Sequence, residues 1–168
     1  MNNMNNRLTQ TTPEVPEELE IQTSTLRLVA KCWGKPEGLP VLALHGWLDN
    51  AATFDHLAPF LPEFRIVSLD LPGHGFSDHR PSGTSYHFTD MVADVLEVAE
   101  VLKWDHFSLL GHSMGAGIAS YLAGTIPEKI KYLMLIEGLG SIVQAPEKMP
   151  ENLREATSQW LRRSDKKL

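Results

Sequence analysis

A mainly parallel α/β sheet with helices packed on both faces is the fold this sequence predicts. Three observations point there. Short, mainly apolar segments recur at residues 41–44, 65–69, 106–110 and 131–136, the first of them continuously apolar, helical periodicity separates several of them, and loop or turn residues follow their carboxyl ends. Such segments read as strands covered on both sides, and alternation with helices implies right-handed crossovers and a ligand site outside the strands' carboxyl ends.

Taken in order, residues 1–20 are rich in Asn, Thr, Pro and Glu and read as a disordered lead-in, with neither the apolar core of a signal peptide nor a transit peptide's cationic character. Residues 25–33 alternate, with Leu26, Leu28, Ala30 and Cys32 on one side and Arg27, Val29 and Lys31 on the other, which predicts a half-covered strand near a sheet edge. Past the turn at 34–38, residues 41–44 form a central strand; residues 54–61 offer a short helix closed by Pro62, and 65–69 the next strand. Thr89 is the expected N-cap of an amphipathic helix, since Met91, Val95, Val98 and Leu102 recur at helical spacing while Asp90, Asp94, Glu97 and Lys103 mostly fall elsewhere on the cylinder. A strand at 106–110, a small-residue helix from Met114 to Thr125 and a covered strand at 131–136 complete the core, read as residues 21–142. Residues 143–168 read as a linker around 145–150 and a mixed-charge helix at 152–163.

Composition narrows the function. Among 168 residues, 15 Lys+Arg stand against 21 Asp+Glu, for a net charge of -6 with no basic stripe, which argues against nucleic acid as a partner. Cys32 is the only cysteine, so no intrachain disulfide forms and a reducing compartment suits the chain; cytoplasm is the expectation, and the terminal Lys166-Lys167-Leu168 only loosely matches a peroxisomal address. No apolar run approaches the ~20 residues of a membrane span, no histidine pair has metal-ligand spacing, and neither a metal nor a cofactor is expected.

Gly111-His112-Ser113-Met114-Gly115 fits GxSxG, between an apolar strand and a helix as that motif requires. Glycines at both ends relieve crowding around a strained turn that pushes the Ser113 hydroxyl outward. The helix that follows aims free N–H groups at the place where an oxyanion would form, making the Met114 amide the first oxyanion donor. His45, beside Gly46 at the end of the 41–44 strand, is expected to brace the loop there, and His112 to pack or brace rather than react. His74 reads as part of a structural turn, and His56, His79, His87 and His106 as surface or capping residues.

Three stretches together carry a resemblance: His45-Gly46-Trp47-Leu48-Asp49-Asn50-Ala51-Ala52-Thr53-Phe54-Asp55, Asp70-Leu71-Pro72-Gly73-His74-Gly75-Phe76-Ser77 and Leu109-Leu110-Gly111-His112-Ser113-Met114-Gly115. Over residues 25–140 the chain resembles the serine hydrolase-like branch of the α/β-hydrolase superfamily. The resemblance implies an α/β-hydrolase fold and a Trp47 amide acting as second oxyanion donor. The Trp47 indole has two roles open to it, lining an acyl pocket or packing in the core. Some relatives place the triad acid after the strand that ends at residue 136, which leaves Glu137 either as that acid or in a structural or cap-contacting role.

In this fold the triad follows the order Ser, acid, His, yet no histidine occurs after Ser113. The reading is therefore a serine hydrolase acting on a carboxylic ester or related small acyl compound through a Ser113 acyl-enzyme, in a chain truncated before the base, the last strands and most of a helical cap. A sheet that stopped at 131–136 would expose an edge and favour self-association. Acyl transfer, thioester or carbon–carbon hydrolysis and cofactor-free peroxidation share the same serine turn, and a non-enzymatic ligand- or partner-binding scaffold is the alternative from another class.

Overall fold

The computed structural model describes residues 15–140 and 146–164. Six strands form one mixed sheet: β1 (Glu17–Gln22), β2 (Arg27–Trp33), β3 (Leu39–Leu44), β4 (Phe64–Leu69), β5 (Phe107–His112) and β6 (Ile130–Ile136), in the spatial order β1-β2-β4-β3-β5-β6. The β4, β3, β5 and β6 neighbours pair in parallel, while β1 and β2 join antiparallel on one side. From β3 the chain goes to β4 on one side and later returns to β5 on the other. The carboxyl ends of β3 and β5 therefore flank a topological switch point, where open α/β sheets place their ligands.

Alternation along the strands divides the core. Leu42, Leu44, Leu69 and Leu109 face α1 (Phe88–Val101) and α2 (Met114–Thr125), meeting Met91, Val95, Val98, Ile118 and Leu122. Val41, Ala43, Ile66 and Leu110 face the other way, onto Phe54 and Ala58. That second face is covered by two short 3-10 turns, Ala51–Phe54 and Ala58–Phe60, where the sequence suggested one helix. Each fully buried Leu or Phe contributes ~1.5–3 kcal/mol.

Several boundaries differ from the expectations, each for a local reason. Strand β1 begins inside the segment read as disordered. Its glutamates hide a period of two, in which Leu19 and Ile21 turn to the core while Glu18 and Glu20 stay outside; Glu20 pairs with Arg27, and Glu17, at the strand's start, with Arg65. Because β1 takes the edge, β2 is an inner strand, and Val29 is buried with the apolar set. Helix α1 starts at Phe88 after an extended His87 rather than at a Thr89 cap, and the Phe88 ring meets Tyr121 of α2 at 5.3 Å. Asp94 turns inward, buried and bonded to Arg80. Strand β6, expected to be covered, lies at the sheet edge with Tyr132, Leu133, Met134 and Ile136 exposed. Helix α3 (Met149–Ser164) follows a 3-10 turn, Pro146–Lys148, within the expected linker; residues 141–145 and the tail at 165–168 lie outside the described residues, as do 1–14 of the lead-in. Among the described residues no helix is long and apolar enough to cross a membrane.

Candidate active site

The carboxyl ends of β3, β5 and β6 lie in register, with Leu44 opposite Gly111 and Gly111 opposite Leu135, so the residues that follow each strand converge. Ser113 links β5 to α2 with φ 51 and ψ -113, a backbone conformation that side chains normally avoid. Neighbouring glycines make this possible. A Cβ on Gly115 would lie 2.1 Å from the Leu44 carbonyl oxygen, and one on Gly111 2.5 Å from the Ala116 Cα. The Ser113 N–H donates to the Ile136 carbonyl at 2.9 Å, anchoring the turn to β6 and leaving the residue exposed. The Ala116 and Gly117 N–H groups turn back to the Ser113 carbonyl, whereas helix geometry gives the Met114 N–H no intrahelical acceptor.

The loop after β3 packs against this turn. A Cβ on Gly46 would stand 3.1 Å from His112 Nδ1 and 3.3 Å from the Ser113 Cβ, so only a glycine lets the backbone approach so closely. His45 is fully buried behind it; its Nδ1 lies 2.7 Å from the Gly46 carbonyl, and its Nε2 accepts the Leu71 N–H at 3.0 Å. These contacts assign the proton to Nδ1 and engage both ring nitrogens, so His45 braces the loop. Burial pulls its imidazole below the usual value, the hydrogen bond to Gly46 opposing. His74 packs edge-on against His45 and Trp47 at 5.0 and 5.8 Å, and its Nε2 accepts the Leu48 N–H at 3.4 Å. The Trp47 indole is 62% exposed and does not pack in the core, because the loop carries it out over His74.

A cavity of about 540 Å³ opens beside Ser113, walled by Trp47, Phe88, Met114 and Leu139, with Glu137 and the backbones of Gly117, Gly138 and Gly140. Glu137 also has positive φ, 52°, and its carboxylate lies 3.5 Å from His112 Nε2. The Nδ1 of His112 is buried without a hydrogen-bond partner. Among the described residues no histidine hydrogen-bonds to the Ser113 hydroxyl, and no cluster of His, Cys, Asp or Glu could hold a metal. Cys32 is buried in β2, where burial pushes its thiol up and leaves it inert.

The structure thus brings together Ser113, Met114, Trp47, Gly46, His45, His112 and Glu137. Sequence reasoning missed Phe88 and Leu139 as walls and Asp70 as a tie, and it read His74 as part of a structural turn without its ring contacts to His45 and Trp47. The buried Asp70 carboxylate accepts the Ala51 N–H at 2.6 Å and the Phe76 N–H at 2.8 Å, joining the loops after β3 and β4. A Cβ on Gly75 would fall 2.1 Å from that carboxylate, so the Asp70-x-x-x-x-Gly75 spacing was the available signal.

Comparison with known proteins agrees with this architecture. The family model described as alpha/beta hydrolase fold matches residues 40–165, and the chain belongs to that family. Within it, the chain falls in the serine hydrolase-like branch. It is 47% identical over 128 residues to a serine hydrolase-like protein of Dictyostelium discoideum, covering 74% of this chain and 36% of that protein. It is 43% identical over 129 residues to a serine hydrolase-like protein of Danio rerio, covering 76% and 40% respectively. A crystal structure of the hypothetical protein PA1622 from Pseudomonas aeruginosa PAO1 superposes with a TM-score of 0.81 at 51% identity, covering 86% of this chain and 51% of the other. The chain therefore spans 36–40% of the length of these two curated relatives.

Proposed function

We propose that Ser113 is the nucleophile of a serine hydrolase that acts on a carboxylic ester or related acyl compound through an acyl-enzyme. The observation that carries the reading is the strained Ser113 turn, exposed at the amino end of α2 and facing the cavity. In the first step a base takes the Ser113 proton while Oγ bonds to the substrate carbonyl carbon. The resulting oxyanion receives the Met114 and Trp47 N–H groups. The alcohol departs with the proton, and water then releases the acid. No metal or cofactor enters this scheme.

The base is the part this sequence lacks, for all seven histidines precede Met114. In this reading it belongs to polypeptide outside these 168 residues or to another chain; by the template of other triads, its loss alone costs on the order of 10⁶ in turnover. Glu137 stands at the carboxyl end of β6, where a triad acid could reach. Its 81% exposure and its contact with His112 favour the role of a rim residue, since a triad acid is buried against its base. The exposed β6 edge supports self-association as part of the same proposal. A scaffold that binds without turnover is the second reading, favoured by the lack, among the described residues, of a histidine hydrogen-bonded to the Ser113 hydroxyl.

Labelling with a fluorophosphonate probe decides between them, with intact mass to place the adduct, Ser113→Ala as control, and added imidazole as a substitute base. The expected outcome is slow labelling that imidazole accelerates and that Ser113→Ala abolishes. No adduct in a folded chain, even with imidazole, would favour the binding scaffold. Fast labelling without imidazole would place a working base within the chain or its assembly.

A further inference from the structure

The Ser113 cavity is one-sided in charge. Of the side chains that line it, Glu137 alone is ionisable among the described residues, and no lysine or arginine contributes. Its floor is closed by backbone. A Cβ on Gly117 would meet the Gly140 carbonyl oxygen at 2.9 Å and the Phe88 ring at 3.1 Å, so no polar side chain fits there. Asp49, two residues after Trp47 in the same loop, adds a further negative charge on that side.

We propose that Glu137 sets the charge specificity of this cavity, which takes acyl compounds whose distal group is neutral or cationic and disfavours those ending in a carboxylate or phosphate. The inference rests on the reading of the Ser113 cavity as an acyl site and adds the class of compound that fits it. The Glu137 carboxylate stands at the rim, 3.5 Å from His112 Nε2, where 81% exposure lets it meet an arriving ligand. The positive end of α2 favours negative charge but acts within its first turn, beside Ser113, where the oxyanion forms. A charged group on the ligand beyond that first turn meets Glu137, the ionisable side chain of the lining. Two exposed like charges at ~6 Å in water weaken binding about threefold at low salt, and added salt screens the effect.

The test uses the full 168-residue chain carrying Ser113→Ala, so that esters bind without turnover. Three probes of similar length are titrated: dimethyl adipate, monomethyl adipate and methyl 6-aminohexanoate. The readout is the Trp47 indole N–H resonance, assigned with Trp47→Phe. Monomethyl adipate should bind about threefold more weakly than the diester, and the amine at least as tightly as the diester. The gap should close in Glu137→Gln and at about 0.5 M salt, and persist in Glu137→Asp, which keeps the charge. Equal affinities for the three probes, or a gap that survives Glu137→Gln, would overturn the proposal. Failure of every probe to bind would overturn it too, while Ser113 labelling still succeeds or fails separately.

Discussion

Positive φ at Ser113 and Glu137 means that two residues with side chains occupy conformations better suited to glycine, and the surrounding glycines carry much of what makes this tolerable. Gly115 is the most constrained of them, with the Leu44 carbonyl oxygen 2.1 Å from where a Cβ would stand. Gly115→Ala should therefore cost at least about 3 kcal/mol or prevent folding, read from the midpoint of urea unfolding. His45 gives a pH signature. Its folded imidazole is held below the usual value of about 6.5, so the unfolded chain takes up a proton first as pH falls. Stability is then complete above about pH 6.5 and declines below it, by at most ~1.4 kcal/mol per pH unit from this group. Unfolding midpoints between pH 7.5 and 5 should show the decline, and His45→Gln should flatten it. The places of Ser113, Met114 and His45 were legible because a five-residue motif and a strand end fixed them. The exposure of the Trp47 indole was not, because it depends on a ring contact with His74, distant in sequence.

At the scale of elements, the long connection from β4 to α1 is held by a latch that local pattern hid. Arg80 bonds Asp94 of α1, its guanidinium lies 5.7 Å from the centre of the Tyr86 ring, and its N–H donates to the Tyr86 hydroxyl at 2.8 Å. Burial raises the Asp94 carboxyl above its usual range, and Arg80 opposes that rise. Arg80→Met leaves the carboxylate without its partner and should cost roughly 3 kcal/mol at neutral pH. With its folded pKa raised further, the deficit shrinks at acid pH and grows as pH climbs through that value; a double variant with Asp94→Leu should recover much of the loss in a thermal-unfolding cycle. A run of small residues located α2, and helical spacing, a local signal, located the body of α1. It could not reveal that Asp94 turns inward, because the partner that permits this comes from a loop. Strand β1 escaped notice for the opposite reason: its pairing with β2 supplies order that its own glutamate-rich composition does not suggest.

For the whole molecule, the mainly parallel core was legible from the succession of apolar strands and helices, whereas the strand order with its switch point and the position of β6 at the sheet edge were set by topology. Tyr132, Met134 and Ile136 are exposed along that strand, and an uncovered apolar edge invites pairing. Sedimentation should show concentration-dependent association of the chain, and Tyr132→Lys with Met134→Lys should reduce it. The same strand has another consequence, since the Ser113 N–H is bonded to the carbonyl of Ile136. Ser113 is thus tethered to a strand that, among the described residues, the rest of the sheet holds along one side only. Fraying of β6 would release that tether and let the serine relax out of its strained pose. Whatever partner seals the open side raises the free energy of that fraying. Closure of the sheet and readiness of the serine are therefore thermodynamically linked, although they involve different surfaces.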